Sequence, residues 1–273
     1  MNILEKIISK KRSEIIRQKN AVPGEQLMGL IRDKKLPQVS FRQTLEDSGT
    51  GIIAEFKRRS PSKGWIFEQA EVEIIVPDYE AMGASAVSVL TDEPFFGGTI
   101  SDLQKARNLV KLPLLRKDFI IDEYQLLQAK VFGANVVLLI ASALTVKQTE
   151  KLAAAAKALG LEVLLEIHTE SELEYLGDNI DVVGINNRNL STFKTDIQVS
   201  FELGALIPDS FVKISESGIS DPKVVMQLRE AGFKGFLMGE NFMKTEHPAK
   251  ALREFIRELE GENEKISSEM HGK

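Results

Sequence analysis

The chain has 273 residues, of which 43% are hydrophobic and 27% charged, with a net charge of −5 and no cysteine. That composition suits a globular domain and excludes disulfides, thiolate metal sites and cysteine nucleophiles. The negative balance gives no global field to draw nucleic acid or an anionic membrane. The three histidines, His168, His247 and His271, stand at no metal-ligand spacing. The longest uncharged apolar run, 134–144, is too short for a bilayer, which needs about 20 residues.

Residues 1–48 open the chain with Ile3, Leu4, Ile7, Ile8 and Ile15 near helical spacing. This predicts an amphipathic helical extension, packed on the following domain or capping one of its ends. No secretory signal is present in this charged stretch, and a cytoplasmic protein is expected.

From residue 49 to 260 the pattern changes. Short apolar runs rich in branched residues recur at 51–56, 85–90, 112–117, 134–140, 161–167, 181–186, 210–215 and 235–239. Each has the length of a buried strand, and helical patterns lie between them. In 145–160, Thr145 is the expected N-cap and Gly160 the stop; in 220–232, Ser220 is the expected cap, ahead of Pro222 and Gly232. Continuous apolar strands alternating with helices imply a parallel sheet covered on both faces, either doubly wound or closed. Eight such units in roughly 225 residues favour an α/β protein of the closed (β/α)8 TIM-barrel type over an open sheet. No GxGxxG follows the first strand, against a dinucleotide fold. Residues 261–273 are polar, and a frayed tail is expected.

In such barrels the loops at the C-terminal ends of the strands build the site. Here those ends carry Glu55 and Lys57, Lys117, Glu166, Asn186 and Arg188, and Glu216 followed by Ser217 and Gly218. Side chains two apart share a strand face, so Glu55 and Lys57 point one way and Phe56 the other. Facing inward, the lysines and glutamates would form one cluster, with a charged lysine as general acid and a charged glutamate as general base. The turns at 215–220 and 238–241, with hydroxyls from 60–62, match the usual phosphate cradle of this fold. Phe96 and Phe119 lie on the same loops, either packing them or walling an apolar slot for a flat ring.

The motifs AEFKRRSPSKG (54–64), LLRKDFIID (114–122), LLEIHT (164–169), GINNRNL (184–190), SESGI (215–219) and LMGENFM (237–243) occur in this order. Together they resemble the indole-3-glycerol phosphate synthase family across nearly the whole chain. The resemblance implies a (β/α)8 barrel with an N-terminal cap, acting in tryptophan biosynthesis as a carboxy-lyase. Its substrate is an anthranilate ring joined through nitrogen to deoxyribulose 5-phosphate. By the same resemblance Lys117 is the acid that protonates the ketone, Glu166 assists loss of water, and Lys57 binds the carboxylate or serves as the dehydration acid. Glu55, Asn186 and Glu216 orient these groups, and Arg188 supports them. Ser60, Ser217, Gly218, Gly239 and Glu240 fall in the phosphate loops, with Glu240 expected to point away. Phe96, Phe119, Leu138 and Leu190 fall in the ring pocket. No cofactor or metal is implied, and a monomer acting on a small phosphorylated substrate is expected. A Schiff-base aldolase, the preceding isomerase of the pathway, and a non-catalytic phosphate-binding barrel are the competing readings.

Overall fold

The computed structural model describes residues 2–33, 39–189 and 192–271. Eight parallel strands close into a barrel: β1 Ile52–Phe56, β2 Ala86–Leu90, β3 Leu114–Lys117, β4 Val136–Ile140, β5 Glu162–Ile167, β6 Val182–Asn186, β7 Val212–Glu216 and β8 Phe233–Met238. β1 completes the ring by pairing with both β2 and β8. Strict alternation divides the apolar residues between two cores. Ile53, Leu115, Leu138, Leu164, Val182, Ile214 and Leu237 fill the barrel interior, while Ile52, Ala54, Phe56, Val87 and Val89 pack under the helices.

The helical spacers form where their caps predict. Thr145 accepts the Gln148 N–H and Gln148 returns the bond, starting the helix Val146–Ala158, which Gly160 ends at φ +66°. In the later helix Pro222–Glu230 the cap is Asp221 rather than Ser220, because its carboxylate reaches the Lys223 N–H. One spacer departs from the alternation. Residues 168–181 leave room only for a 3₁₀ segment, Glu170–Tyr175, between β5 and β6. A two-residue antiparallel ribbon, Arg59–Ser60 with Gly64–Trp65, also folds within the first loop.

The extension is three helices rather than one, α1 Ile3–Ala21, α2 Gly24–Asp33 and α3 Phe41–Asp47. Pro23 ends the first because it disfavours helical backbone in the residue before it. α3 closes the N-terminal mouth: Phe41 and Leu45 are fully buried against the interior residues Ile53, Val182 and Ile214. Glu162, at the foot of β5, accepts the Phe41 N–H at 2.6 Å and the Arg42 N–H at 3.0 Å, anchoring the start of α3. α1 lies at the opposite mouth, where Ile3, Leu4 and Ile7 line a cavity. At the other end of the chain the last helix runs Pro248–His271, through the stretch where the sequence suggests a frayed tail. No described helix is long and apolar enough to cross a membrane.

A buried lysine fixes α1 to the barrel. Lys11 is 1% exposed and its Nζ lies 2.9 Å from Asp118 Oδ1, 2.9 Å from Asp92 Oδ2 and 3.0 Å from Glu14 Oε2. Burial works against its charge, but Asp118, Asp92 and Glu14 override that and hold it above the usual lysine range. Asp118 is also met by Arg116 at 2.9 Å and by the Thr91 hydroxyl at 2.7 Å, so it stays well below the usual carboxylate range despite burial. Asp92 has Lys11 and the Phe95 N–H against its burial and the nearby Asp118, and is raised.

Replacing Lys11 with methionine would leave the Asp92 and Asp118 carboxyls buried without their cation. We predict a loss of about 3 kcal/mol in urea unfolding, with part recovered in the Lys11→Met/Asp118→Asn double variant. Equal stability of Lys11→Met and the wild type would contradict this.

Candidate active site

Strand parity delivers the charged residues to the C-terminal mouth. Leu115 lies one inward step below Lys117, Leu164 below Glu166, and Ile214 below Glu216. Glu55, Glu166 and Glu216 are 4%, 3% and 1% exposed. Lys117 stands among them. Its Nζ is 2.7 Å from Glu216 Oε2, 3.7 Å from Glu55 Oε2 and 3.8 Å from Glu166 Oε2. Lys57 pairs with the other Glu55 oxygen at 2.5 Å.

Two glycines make space for these carboxylates. A Cβ on Gly239 would lie 2.6 Å from Glu55 Oε1, and one on Gly184 would lie 2.4 Å from Glu216 Oε1. Any larger residue at either position would displace a carboxylate that faces Lys117. The place of Gly184 in the sequence does not reveal this role, which depends on the neighbouring strand.

The charges at the end of β1 separate into two groups. Glu55 and Lys57 face the mouth, whereas Arg58 turns outward. Its guanidinium bonds both Asp102 oxygens, at 2.7 and 3.0 Å, and lies 4.8 Å from the Phe56 ring centre. Arg58 therefore holds the loop and stays out of the site.

Burial would neutralise an isolated lysine here, yet Glu216, Glu55 and Glu166 hold Lys117 well above its ordinary range. Burial would also raise Glu55, but Lys57 and Lys117 bring it below the usual value. Glu216 goes the other way. Burial, with Glu166 and Glu55 close by, outweighs Lys117 and raises it to about 7. The mouth thus pairs a persistent ammonium with a low-lying carboxylate and a carboxyl that titrates near neutrality.

Around this cluster lie two connected cavities. The first is apolar: Phe96 and Phe119, with ring centres 5.9 Å apart, Leu138, and Leu4 and Ile7 from α1. Leu190, the fourth expected ring-pocket residue, lies outside the described residues. The second cavity is polar and is lined by Ser217, Gly218, Gly239 and Glu240 together with Lys63, Arg188 and Lys244. Ser62 lines both, whereas Ser60 is buried and lines the first. Glu55, Lys57 and Arg188 border both cavities.

Glu240 does not point away from the polar cavity. Its carboxylate lies 3.4 Å from Arg188 Nη2 and 3.8 Å from Lys63 Nζ, because these cations draw it to the cavity wall. Arg188 also donates to the Ser62 hydroxyl at 3.1 Å.

Two residues of the mouth escaped the sequence reading. Asn187 is buried beside Asn186, and its Nδ2 lies 3.0 Å from Ser215 Oγ and from the Glu216 and Ser217 carbonyls. It thereby braces the turn in which Ser217 takes a positive φ of 67°. Asn186 accepts the Arg188 N–H at 3.0 Å. His168, the second, lies against Glu166, with its Nε2 3.4 Å from Glu166 Oε1. Its position two residues beyond Glu166 was the available signal.

A family model described as indole-3-glycerol phosphate synthase matches residues 4–255. The indole-3-glycerol phosphate synthase of Bacteroides thetaiotaomicron is 55% identical over 259 residues, spanning 95% of this chain and 99% of that protein. That of Salinibacter ruber is 38% identical over 275 residues, with 100% of both chains covered. Among solved structures, a mutant tryptophan synthase alpha-subunit from Pyrococcus furiosus superposes with a TM-score of 0.59 at 13% identity, covering 78% of this chain and 98% of that one. That last likeness shows the barrel fold alone. Matched over nearly its full length, the chain belongs to the indole-3-glycerol phosphate synthase family, lyases of tryptophan biosynthesis.

Proposed function

We propose that the protein converts 1-(2-carboxyphenylamino)-1-deoxyribulose 5-phosphate to indole-3-glycerol phosphate, carbon dioxide and water, with Lys117 as general acid and Glu166 as general base. The observation that carries this reading is the position of Lys117. It is an ammonium among three carboxylates in the wall of the apolar slot, and one of the three, Glu55, also borders the polar cavity.

The substrate's two ends match the two cavities. The aromatic ring would lie against Phe96 and Phe119, over Leu138. The phosphate would occupy the turns around Ser217–Gly218 and Gly239–Glu240, with Lys63 and Lys244 supplying charge. Holding both ends bends the chain and brings ring carbon to ketone, which removes much of the entropic barrier. Lys57, at the border of both cavities, is placed to meet the substrate carboxylate.

The chemistry then follows from charge. Lys117 donates a proton to the ketone oxygen as the ring carbon attacks, so negative charge does not accumulate there. Loss of carbon dioxide leaves its electron pair in the ring. Glu166 removes a ring proton as the hydroxyl departs as water, with Lys57 or Lys117 supplying the departing proton. Glu55, Glu216 and Asn186 set the lysines and substrate hydroxyls in place.

A Schiff base on Lys117 fits less well. A nucleophilic lysine must be neutral, and three carboxylates oppose that here. Borohydride added during turnover is expected to trap no adduct.

Indole fluorescence, followed with the substrate in EDTA, tests the assignment. Wild-type protein should give a rise, and Lys117→Ala should lose about a thousandfold or more in kcat with a modest change in binding. Glu166→Gln should slow turnover by about a hundredfold and let a ring-closed intermediate accumulate. Near-normal turnover by Lys117→Ala would remove that residue from the acid role.

Glu240 supplies a second test. Its carboxylate pairs with Arg188 and Lys63 beside the proposed phosphate cavity. Glu240→Gln frees both cations and removes a like charge, so KM should fall by about two- to fivefold with kcat little changed. A higher KM would mean that the carboxylate is needed to hold Arg188 in place.

A further inference from the structure

His168 stands at the catalytic mouth and has no part in the roles above. It lies two residues beyond Glu166, at the end of β5, and its side chain is 11% exposed. Nε2 is 3.4 Å from Glu166 Oε1, and on the other side of the ring Nδ1 is 3.7 Å from Glu172 Oε2. Glu172 is itself fixed by main chain. Its Oε2 accepts the His168 N–H at 2.5 Å and the Thr169 N–H at 3.2 Å, at the start of the 3₁₀ segment. The second Glu166 oxygen lies 3.8 Å from Lys117 Nζ. Glu166 is therefore bracketed by Lys117 on one side and His168 on the other.

The charge count of the mouth gives His168 a purpose. Glu55, Glu166 and Glu216 face Lys57 and Lys117, three carboxyl groups against two amines, with Glu216 titrating near neutrality. Arg188 lies close by but is occupied by Glu240 and Ser62. A protonated imidazole between Glu166 and Glu172 adds a positive charge at the Glu166 end of the cluster.

We propose that His168 is a positioning residue for Glu166, its ring strung between the Glu172 and Glu166 carboxylates so that the base keeps one orientation and a positive charge beside it. The proposal rests on the reading of Glu166 as the base. Neither ring nitrogen has a hydrogen-bond partner, so the contact is one of charge: Nδ1 faces the Glu172 carboxylate, and Nε2 faces the Glu166 oxygen turned away from Lys117. The arrangement is a carboxylate–imidazole–carboxylate chain leading from the rim to the reacting carboxylate.

The charged groups that act on His168 are Glu166 and Glu172, with Glu216 further off across the mouth. Burial lowers the imidazole, but these three carboxylates override it and hold it above its ordinary value. The sign follows. A raised group keeps its charge to higher pH than a free imidazole and loses it as pH rises through the folded value. Support for Glu166 is thus present below the His168 midpoint and withdrawn as pH rises through it.

Ring-nitrogen NMR of the full chain, assigned against His168→Gln, reads this directly, because the chain has only three histidines. His168 should titrate above about 6.5, the free-histidine value, and Glu172→Gln should lower its midpoint. Indole-fluorescence kinetics then give the functional half. Both His168→Gln and Glu172→Gln should lose about tenfold in kcat, with KM within about twofold of wild type. Wild-type kcat should fall as pH passes the His168 midpoint, and His168→Gln should lack that limb. A structural role alone would lower kcat and leave the limb intact, which overturns the proposal. A midpoint at or below the free value overturns it too, as does wild-type kcat in both variants. Wild-type protein that makes no indole product rejects the functional reading itself, an outcome distinct from active wild type with unaffected variants.

Discussion

An ammonium taken out of water is costly unless carboxylates meet it, and much of the upper barrel is arranged around that requirement at Lys117. Glu55, Glu166 and Glu216 arrive from β1, β5 and β7, each at the last inward position of its strand. No single element could bring three carboxylates to one nitrogen. The closed sheet does so because inward residues of different strands meet at the same height. Gly184 and Gly239 then leave the space that the Glu216 and Glu55 side chains occupy.

The same requirement recurs one layer out, at Lys11. There the lysine comes from α1, and two of its three carboxylates come from the loops after β2 and β3. Asp118 follows Lys117 in the chain, and Asp92 caps the short helix that carries Phe96. The pairing therefore does more than dock a helix. It couples the placement of the cap to the apolar slot and to the end of the strand that presents Lys117. With α3 plugging the opposite mouth, the extension closes the barrel interior at one end and shapes the site at the other.

What the sequence made legible follows from periodicity. Strands and their inward faces are local properties, so eight apolar runs and the parity of Glu55 with Lys57, Leu115 with Lys117, and Leu164 with Glu166 could be read directly. Contacts between distant segments could not. Nothing near Lys11 announces its burial against Asp118, and nothing near Gly184 announces that Glu216 needs its space. Breaks in the extension at Pro23 and its division between the two mouths were hidden behind a single amphipathic pattern. Glu240 was expected away from the polar cavity on grounds of repulsion. Its partners Arg188 and Lys63 come from other loops, so nothing near Glu240 in the chain reveals them. His168 lies in LLEIHT (164–169), but its significance depends on Glu172 folding back through the 3₁₀ turn.

The central claim is that Lys117 carries its proton into the reaction because three carboxylates hold it there. Side-chain 15N NMR of lysine-labelled protein, with Lys117 assigned by substitution, measures this most directly. The account predicts that the Lys117 ammonium persists beyond the ordinary lysine range, above about pH 10.4, and that Glu216→Gln brings its titration down. A neutral Lys117 amine at pH 8 would contradict the account and restore covalent catalysis by this residue to consideration.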